Sequence, residues 1–352
     1  MDERTHIFLS ETGPVLCVDI GSHTQAALLA KPGIDPENWP TFTLPSPAQS
    51  IAQRIRELTI LKKGIWLYGD EMGGGFTYAL REHLSSELPT ASTSSAALSI
   101  HDDIAYVQGM GIQICESCPK NSVPVYLSDF ETDFWNNILK ISGLPLPHLT
   151  LAAVQDHGNF VPGNRHGRIK NWQELLIANS DPSKWIYTQA PEGLTRLKTL
   201  QTKTGGPVAD TAVCAILGAI ADPHILDRSF REGITIIHAG NTHTLAALVY
   251  QGKVYGIYEH HTNKHELSSF REDLKQFRNR WLSEEVIHAS GGNGLAFGKN
   301  VEEAGDFAPT FIFGPGRALF DGQGKFVAPH GDMHHAGCYG LLYGWANGHY
   351  MS

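Results

Sequence analysis

Pro14-Val-Leu-Cys-Val-Asp-Ile20 is an apolar run ending in an acid, followed by Gly21-Ser22-His23-Thr24 and a second apolar run from Ala26 to Ala30. Two such runs around a short Gly-containing polar segment read as a β-hairpin. Thr41 to Leu44 supplies a third strand, and after Pro45-Ser46-Pro47 a helical pattern carries Ile51, Ile55, Leu58 and Leu61. Gly64-Ile-Trp-Leu-Tyr68 then reads as a strand leading into Gly69-Asp70-Glu71-Met72-Gly73-Gly74-Gly75. The same order returns in the second half. Gly233-Ile-Thr-Ile-Ile237 leads into His238-Ala-Gly240-Asn241-Thr242-His243-Thr244, then a run from Leu245 to Tyr250, a Gln251-Gly252-Lys253 turn and a run from Val254 to Tyr258. A helical pattern with Leu267, Phe270, Leu274, Phe277 and Trp281 follows. Both halves thus share the order strand, Gly-polar turn, strand, strand, helix, strand, which implies a duplicated fold.

Between the repeats, helices are predicted over 76–88, 130–141 and 209–221, with a looser stretch around a cysteine pair. Leu149 to Val154 is a buried-type strand that delivers Gln155-Asp156-His157-Gly158 at its end. Sites in open α/β sheets form at such strand ends, which makes Asp156 and His157 catalytic candidates and gives Asp70 and Glu71 a supporting or Mg²⁺-linked place.

The chain has 352 residues, with 27 Lys+Arg against 36 Asp+Glu and a formal net charge of −9, too acidic for a nucleic-acid binder relying on phosphate neutralisation. Only 18% of residues are charged against roughly 25% in ordinary soluble domains, and 41% are hydrophobic, which predicts a large buried core split between two domains. The longest small or apolar run, 212–221, is about half of the roughly 20 residues that cross a bilayer. The opening Met1-Asp-Glu-Arg-Thr puts acids where a secretory signal carries basic residues, so a cytoplasmic location without membrane contact is expected.

Five cysteines, at 17, 115, 118, 214 and 338, fit reduced thiols better than a disulfide framework. Only Cys115-Glu-Ser-Cys118 has a chemical spacing, and Pro119 to Pro124 after it reads as an irregular loop, unlike the helix that opens at a redox dithiol. The 18 histidines include Glu259-His260-His261, His265 and Asp332-Met333-His334-His335. Such clusters suit metal or phosphate, but His265-Glu266 continues into Leu267, Ser268 and Ser269, so no zincin helix exists. Strand alternation aims His260 and His261 at opposite faces. Walker, dinucleotide and serine-hydrolase glycine motifs are each broken: Asn293 and Asn300 flank Gly298-Lys299, Ile114 follows Gly109-Met-Gly111, and no Gly-x-Ser-x-Gly occurs.

With the repeat in place, the sequence resembles the actin-like ATPase superfamily of sugar kinases, heat-shock seventies and acetate kinases. The resemblance implies an α/β protein of two related actin-like (ribonuclease H-like) domains with nucleotide in the cleft, expected at 13–165 and 233–347 with a helical connecting segment over 166–232. Asp19, Gly21, Ser22, His23 and Thr24 match the superfamily's first phosphate loop, and Gly240, Asn241, Thr242, His243 and Thr244 its second. Glycine lets backbone N–H groups approach phosphate closely, the hydroxyls add donors, and Asp19, with Asp156, holds Mg²⁺. Gly314 and Gly316, or Ser290 to Gly294, stand where adenosine-contacting turns lie. The second loop of the superfamily carries an acid two residues before its glycine; here that place holds His238.

The whole pattern is also similar to an uncharacterised bacterial and archaeal family of unknown function, through Asp19 to Gly21, Gln155 to Gly158, Gly240 to Ala246, Glu259 to Thr262 and His330 to Asp332. Some of its members are labelled as related to pyruvate formate-lyase activating enzymes. A radical enzyme of that kind needs Cys-x3-Cys-x2-Cys, and position 111, four before Cys115, is glycine.

The expected function is an ATP- and Mg²⁺-dependent kinase or ATPase with a small-molecule substrate, possible oligomerisation, Asp156 as base and His157 or His243 aiding phosphate charge. The alternatives are a non-enzymatic nucleotide-dependent sensor or partner protein, and a metallohydrolase using Asp156, His157, Glu259, His260 and Asp332, with Glu259, His260 and Asp332 as its metal set.

Overall fold

The computed structural model describes residues 2–158, 164–262 and 267–349. After helix α1 (Glu3–Thr12), the first hairpin is β1 (Val15–Ile20) and β2 (Thr24–Ala30), with β3 (Thr41–Pro45) beside it. Helix α2 (Pro47–Ile60) opens on Ser46, whose hydroxyl accepts from the Gln49 N–H, with Pro47 at the first helical position. Next come β4 (Gly64–Gly69), α3 (Thr77–Ser85), β5 (Thr90–Ser92), α4 (Ser94–Ala97), α5 (Ile104–Gly109), β6 (Gln113–Ile114), β7 (Ser122–Leu127) and α6 (Thr132–Ile141). The looser stretch around the cysteine pair therefore carries structure: β4 to β7 form a separate parallel sheet, ordered β6-β5-β4-β7, inserted into the first half. Its strands are two to six residues long, too short to leave a period in the sequence.

The chain returns to the first sheet with β8 (Leu149–Val154), then runs through α7 (Asn164–Ala178) and α8 (Thr195–Thr204) to β9 (Val208–Asp210). The first sheet is ordered β3-β2-β1-β8-β9, with β1, β8 and β9 parallel and β2 antiparallel to both its neighbours. Helices α9 (Thr211–Ile220) and α10 (Pro223–Arg231) lead to the second half. There β10 (Ile234–Ala239), β11 (His243–Tyr250) and β12 (Lys253–His261) form a meander, followed by α11 (Leu267–Arg278), α12 (Glu284–Ala289), β13 (Gly294–Phe297), β14 (Thr310–Phe313), β15 (Lys325–Phe326) and α13 (Ala336–Gly348). Its order is β13-β12-β11-β10-β14-β15, with β10, β14 and β15 parallel. Apart from the extra edge strand β13, the two sheets have one topology.

Period-two alternation sorts each central strand between two cores. Val15 and Cys17 of β1 and Ile234 and Ile236 of β10 face a shared core containing α9 and α13, whereas Leu16, Val18 and Ile20 face α6 and α8. Ile237 and Ala239 face α11. Helix α9 is buried along its whole length, which is why its apolar run has no polar face. It reaches α13 through glycines: a Cβ on Gly340 would overlap the Cys214 carbonyl, and one on Gly218 the Ala336 carbonyl. Asp19 lies on the α13 side of β1, as its odd register with Val15 and Cys17 requires.

Candidate functional site

Both hairpins close in the same way. Gly21 N–H donates to the Thr24 carbonyl and Gly240 N–H to the His243 carbonyl, each at 2.9 Å. A Cβ would stand 3.0 Å from Thr24 O at Gly21 and 2.8 Å from His243 O at Gly240, so both turns exclude a side chain for one reason. This pairs Gly21 with Gly240, Ser22 with Asn241, His23 with Thr242, Thr24 with His243, and Asp19 with His238.

The two loops face each other across the molecule, and Ser22 Oγ lies 2.7 Å from Thr242 Oγ1. Each is braced from behind. Ser22 O accepts from Ser46 Oγ at 3.0 Å and Gln49 Nε2 at 3.2 Å, at the start of α2. In the second loop Thr262 Oγ1 donates to Gly240 O at 2.9 Å and Thr262 N–H to Thr242 O at 2.8 Å. Gly316 N–H donates to Ala239 O at 2.9 Å, so the Gly314–Gly316 turn packs directly behind this loop. His23, Thr24 and Asn241 are exposed, whereas Thr244 is buried, its hydroxyl 3.2 Å from that of Thr262.

Below the loops, the carboxyl ends of β1, β8 and β9 carry a row of acids. Ile20, Val154 and Asp210 are in register, so Asp19 stands one residue before that level and Asp156 two residues after it, with Asp19 close enough to feel the charge of Asp210. Asp19 Oδ1 is buried without a hydrogen-bond partner. Burial, then the charge of Asp210, pushes the Asp19 carboxyl up to about 7. A Cβ on Gly337, in the first turn of α13, would overlap that carboxylate. Asp156 is differently placed: Oδ1 accepts from Gly158 N–H at 2.7 Å and Oδ2 from Leu197 N–H at 2.9 Å, so both oxygens cap backbone. Burial still raises its pKa, against the lowering by those two bonds.

Arg168 of α7 joins the two sheets. It is 3% exposed, donates to both oxygens of Glu259 on β12 at 2.6 Å each, to Asp210 Oδ2 at 2.8 Å and Oδ1 at 3.1 Å, and to Asp156 O at 2.6 Å. Burial opposes its charge, and the carboxylates of Asp210 and Glu259 more than restore it. Arg196 of α8 does similar work towards the inserted sheet, pairing with Asp129 at 2.7 and 2.9 Å and with Gln155 O at 2.6 Å. Beside it Glu71, hydrogen-bonded to Thr195, is pushed up to about 7, mainly by burial and further by the Asp156 charge. Asp70 is drawn away by Lys203, 2.7 Å from its Oδ2.

Three imidazoles complete the cluster: His157 and His243 have ring centroids 5.7 Å apart, and His243 and His261 4.5 Å. Burial, then neighbouring His261 and Arg168, drives His243 down to about 3; burial, then Arg168, lowers His157 well below the ordinary imidazole range. The strand alternation expected of His260 and His261 holds, since His260 is buried on the other face, its Nε2 3.0 Å from Ser290 Oγ. At the position of the missing second acid, burial takes His238 down to about 4, and its ring packs on Phe313. Glu259, His260 and Asp332 are not gathered: Glu259 is held by Arg168, and Asp332 pairs with His335 at 2.6 Å. No group of three or more His, Cys, Asp or Glu side chains is disposed to hold a metal ion among the described residues, and His265 lies outside them.

Arg168, Arg196 and Asp210 escaped the sequence reading. Asp210 was hidden because 209–221 reads as one helix, whereas Asp210 ends β9 and accepts from Ala212 N–H to cap α9. An Asp before a small-residue helix is the cap signal that could have found it.

A duplicated β-sheet core of this order, with two glycine hairpins opposed above strand-end acids, defines the actin-like ATPase (ribonuclease H-like) class of fold. More narrowly, the chain belongs to the family whose model, "Putative pyruvate format-lyase activating enzyme (DUF1786)", matches residues 72–319. Its five cysteines are all free, with Cys17, Cys214 and Cys338 buried in β1, α9 and α13, so none adds a third ligand to the 115–118 pair.

No curated protein matches the sequence. Among solved structures, the chain is similar to a Ppx/GppA family member of Aquifex aeolicus, at 10% identity and TM-score 0.28 over 85% of this chain and 65% of that one. It is similar to the inorganic polyphosphate/ATP-glucomannokinase of Arthrobacter sp. strain KM, at 11% identity and TM-score 0.35 over 96% and 100%. It is also similar to the activator of 2-hydroxyisocaproyl-CoA dehydratase from Clostridium difficile, at 10% identity and TM-score 0.33 over 95% and 94%. The chain spans 65% of the length of the Aquifex protein. No helix among the described residues is long and apolar enough to cross a membrane.

Proposed function

We propose that the protein is an ATP- and Mg²⁺-dependent phosphotransferase or ATPase acting on a small molecule, with the nucleotide phosphates taken between Gly21–Thr24 and Gly240–His243. The observation that carries this reading is the meeting of two equivalent glycine loops at Ser22 and Thr242, above the acids that end β1, β8 and β9. Phosphoryl transfer asks chiefly for positioning and charge neutralisation, and these loops offer backbone N–H groups and hydroxyls from both sides. The two hydroxyls must part to admit a phosphate.

Asp19 fits a divalent cation: its Oδ1 is buried and partnerless, and burial and Asp210 make its lone negative charge costly. Mg²⁺ bound there with phosphate would neutralise charge on the transferring group. Asp156 and Asp210 act differently in this reading. Their oxygens are taken by backbone and by Arg168, so they hold the turn after β8 and the start of α9 in place.

Glu71 is the group we assign to proton acceptance from a substrate hydroxyl or water. It is only partly buried, Thr195 orients it, and a carboxyl near 7 is matched to that task at neutral pH. Neutral His157 and His243 can hydrogen-bond phosphate oxygens, and the charge of Arg168 is spent on Asp210 and Glu259. Gly314 to Gly316, packed behind the second loop, supports the adenosine side.

A ligand bound only by the native state adds roughly 2.7 kcal/mol of stability at a hundred times its dissociation constant. Millimolar Mg-ATP or Mg-ADP is therefore expected to raise the melting temperature, with a smaller rise when EDTA replaces Mg²⁺. No shift with any nucleotide, with or without the metal, overturns the reading.

A further inference from the structure

Outside the cleft, the inserted sheet carries a second chemically competent feature. Cys115 and Cys118 follow the edge strand β6, and both are free thiols, Cys115 partly buried and Cys118 exposed. The chain bends at Glu116 and Ser117 between them. Their backbone is anchored while their sulfurs are held only by loop carbonyls. Cys115 N–H donates to Ser92 O at 2.9 Å and Trp66 Nε1 donates to Cys115 O at 3.1 Å. The Cys115 thiol donates to Ser117 O at 3.3 Å, and the Cys118 thiol reaches Pro119 O at 3.7 Å and Ser122 O at 3.5 Å.

Of the two residues between them, Glu116 is tied to the segment that carries Glu71. Glu116 Oε1 accepts from Ser94 N–H at 3.0 Å and Ser94 Oγ at 2.9 Å, at the first residue of α4. Ser95 of the same short helix donates to Gly69 O at 2.6 Å. Ser99, just beyond it, accepts from Met72 N–H at 2.8 Å. Gly69 and Met72 bracket Asp70 and Glu71. One four-residue helix therefore links the dithiol loop to the backbone that presents Glu71.

We propose that Cys115 and Cys118 are a reversible redox switch, closed to an intramolecular disulfide by a low-molecular-weight disulfide such as oxidised glutathione, and that closure loosens the Gly69–Gly73 segment through Glu116 and α4. One thiolate attacks the glutathione disulfide, forming a mixed disulfide and releasing one glutathione thiolate. The second protein thiolate then attacks the mixed disulfide, forms the Cys115–Cys118 bond and releases the second glutathione. The protein loses two electrons and two protons, and two glutathione molecules are produced. Joining the sulfurs breaks all three thiol–carbonyl contacts and re-forms the bend at Glu116 and Ser117, which withdraws the carboxylate from Ser94. The link to turnover rests on the role given to Glu71, but disulfide formation and backbone loosening are read without nucleotide.

The test equilibrates the full chain in glutathione buffers of increasing oxidised fraction, traps it with acid, alkylates it and follows mass and amide hydrogen exchange. The expected result is paired loss of two alkylatable thiols, a chain lighter by two hydrogens with Cys115 joined to Cys118, and faster exchange at Met72. Cys115→Ser and Cys118→Ser each abolish the paired loss. Glu116→Ala keeps the disulfide but exchanges fast at Met72 in both redox states. A stable mixed disulfide with glutathione at one cysteine, or no reaction of the pair, overturns the switch. A disulfide that forms while Met72 exchange stays unchanged overturns the transmission.

Discussion

Asp19 and His238 occupy the same place in two hairpins built alike, the fifth residue of a six-residue strand two positions before the turn glycine, and they meet opposite fates. Around Asp19, β9 ends in Asp210 one strand beyond β8, so its charge is disfavoured by burial and by Asp210, and one oxygen has no partner. Around His238 the neighbours are apolar or glycine, and burial keeps the imidazole neutral against Phe313. Duplication has preserved backbone geometry, down to the 2.9 Å bond closing each turn, while electrostatic work has passed to the first half. In the proposed reading, a cation would therefore be held by the first half alone, through Asp19.

The largest test of that division is the residue that joins the halves. Arg168→Met leaves Glu259 and Asp210 buried without their cation and should cost about 3–5 kcal/mol in urea unfolding. A cost below about 1 kcal/mol would show that the halves hold together without the ion pairs. Next, Gly337→Ala pushes a methyl into the Asp19 carboxylate. Overpacking of this kind should cost about 1–3 kcal/mol and disturb Mg²⁺ dependence of nucleotide binding. A fully stable Gly337→Ala variant would mean that Asp19 has room the comparison denies it.

The pH dependence has a definite sign. The Asp19 carboxyl is raised in the fold to about 7 from an ordinary 3.8, so its contribution is fully present below about pH 4 and is lost as pH rises through about 7. Asp19→Asn removes that loss. Its unfolding free energy should gain on the parent by roughly 2–3 kcal/mol between pH 5 and pH 8 without metal, and a pH-independent difference would break the argument. The smallest effect is expected at His23, exposed in the first loop with its ring 2.9 Å from Ser22 Oγ. His23→Ala should stay within about 0.5 kcal/mol by thermal unfolding, whereas a larger cost would show that the first loop is as tightly held as the second.

The fold was legible because the repeat writes itself in long apolar runs. β1, β2, β10, β11 and β12 are six to nine residues each, and their glycine turns punctuate them. Of the inserted parallel sheet only β4 was, since the three-residue β5 and the two-residue β6 are too short to show a period of their own. Within the site, the glycine turns and the strand-end placement of Asp19 and Asp156 followed from local pattern, as did the opposite orientation of His260 and His261, whereas Asp210 did not. The pairing of Arg168 with partners 42 and 91 residues away did not, because a lone arginine in an unremarkable helix becomes a cross-link only when two sheets converge on it. The capped state of Asp156 was equally hidden, for its partner Leu197 lies 41 residues on.

In the proposed reading, the contact between Ser22 and Thr242 sets how phosphate binding would respond to ligand concentration. If the loops part in only a fraction of molecules at any moment, the apparent dissociation constant of a phosphate ligand is the intrinsic one divided by that fraction. A molecule open about one part in a hundred binds about a hundredfold more weakly than its open form. Association would then level off at high ligand, limited by how often the hydroxyls separate and not by diffusion. Removing the bond with Ser22→Ala would lift both the plateau and the affinity together, a gain of binding from the loss of a polar group in the binding loop itself.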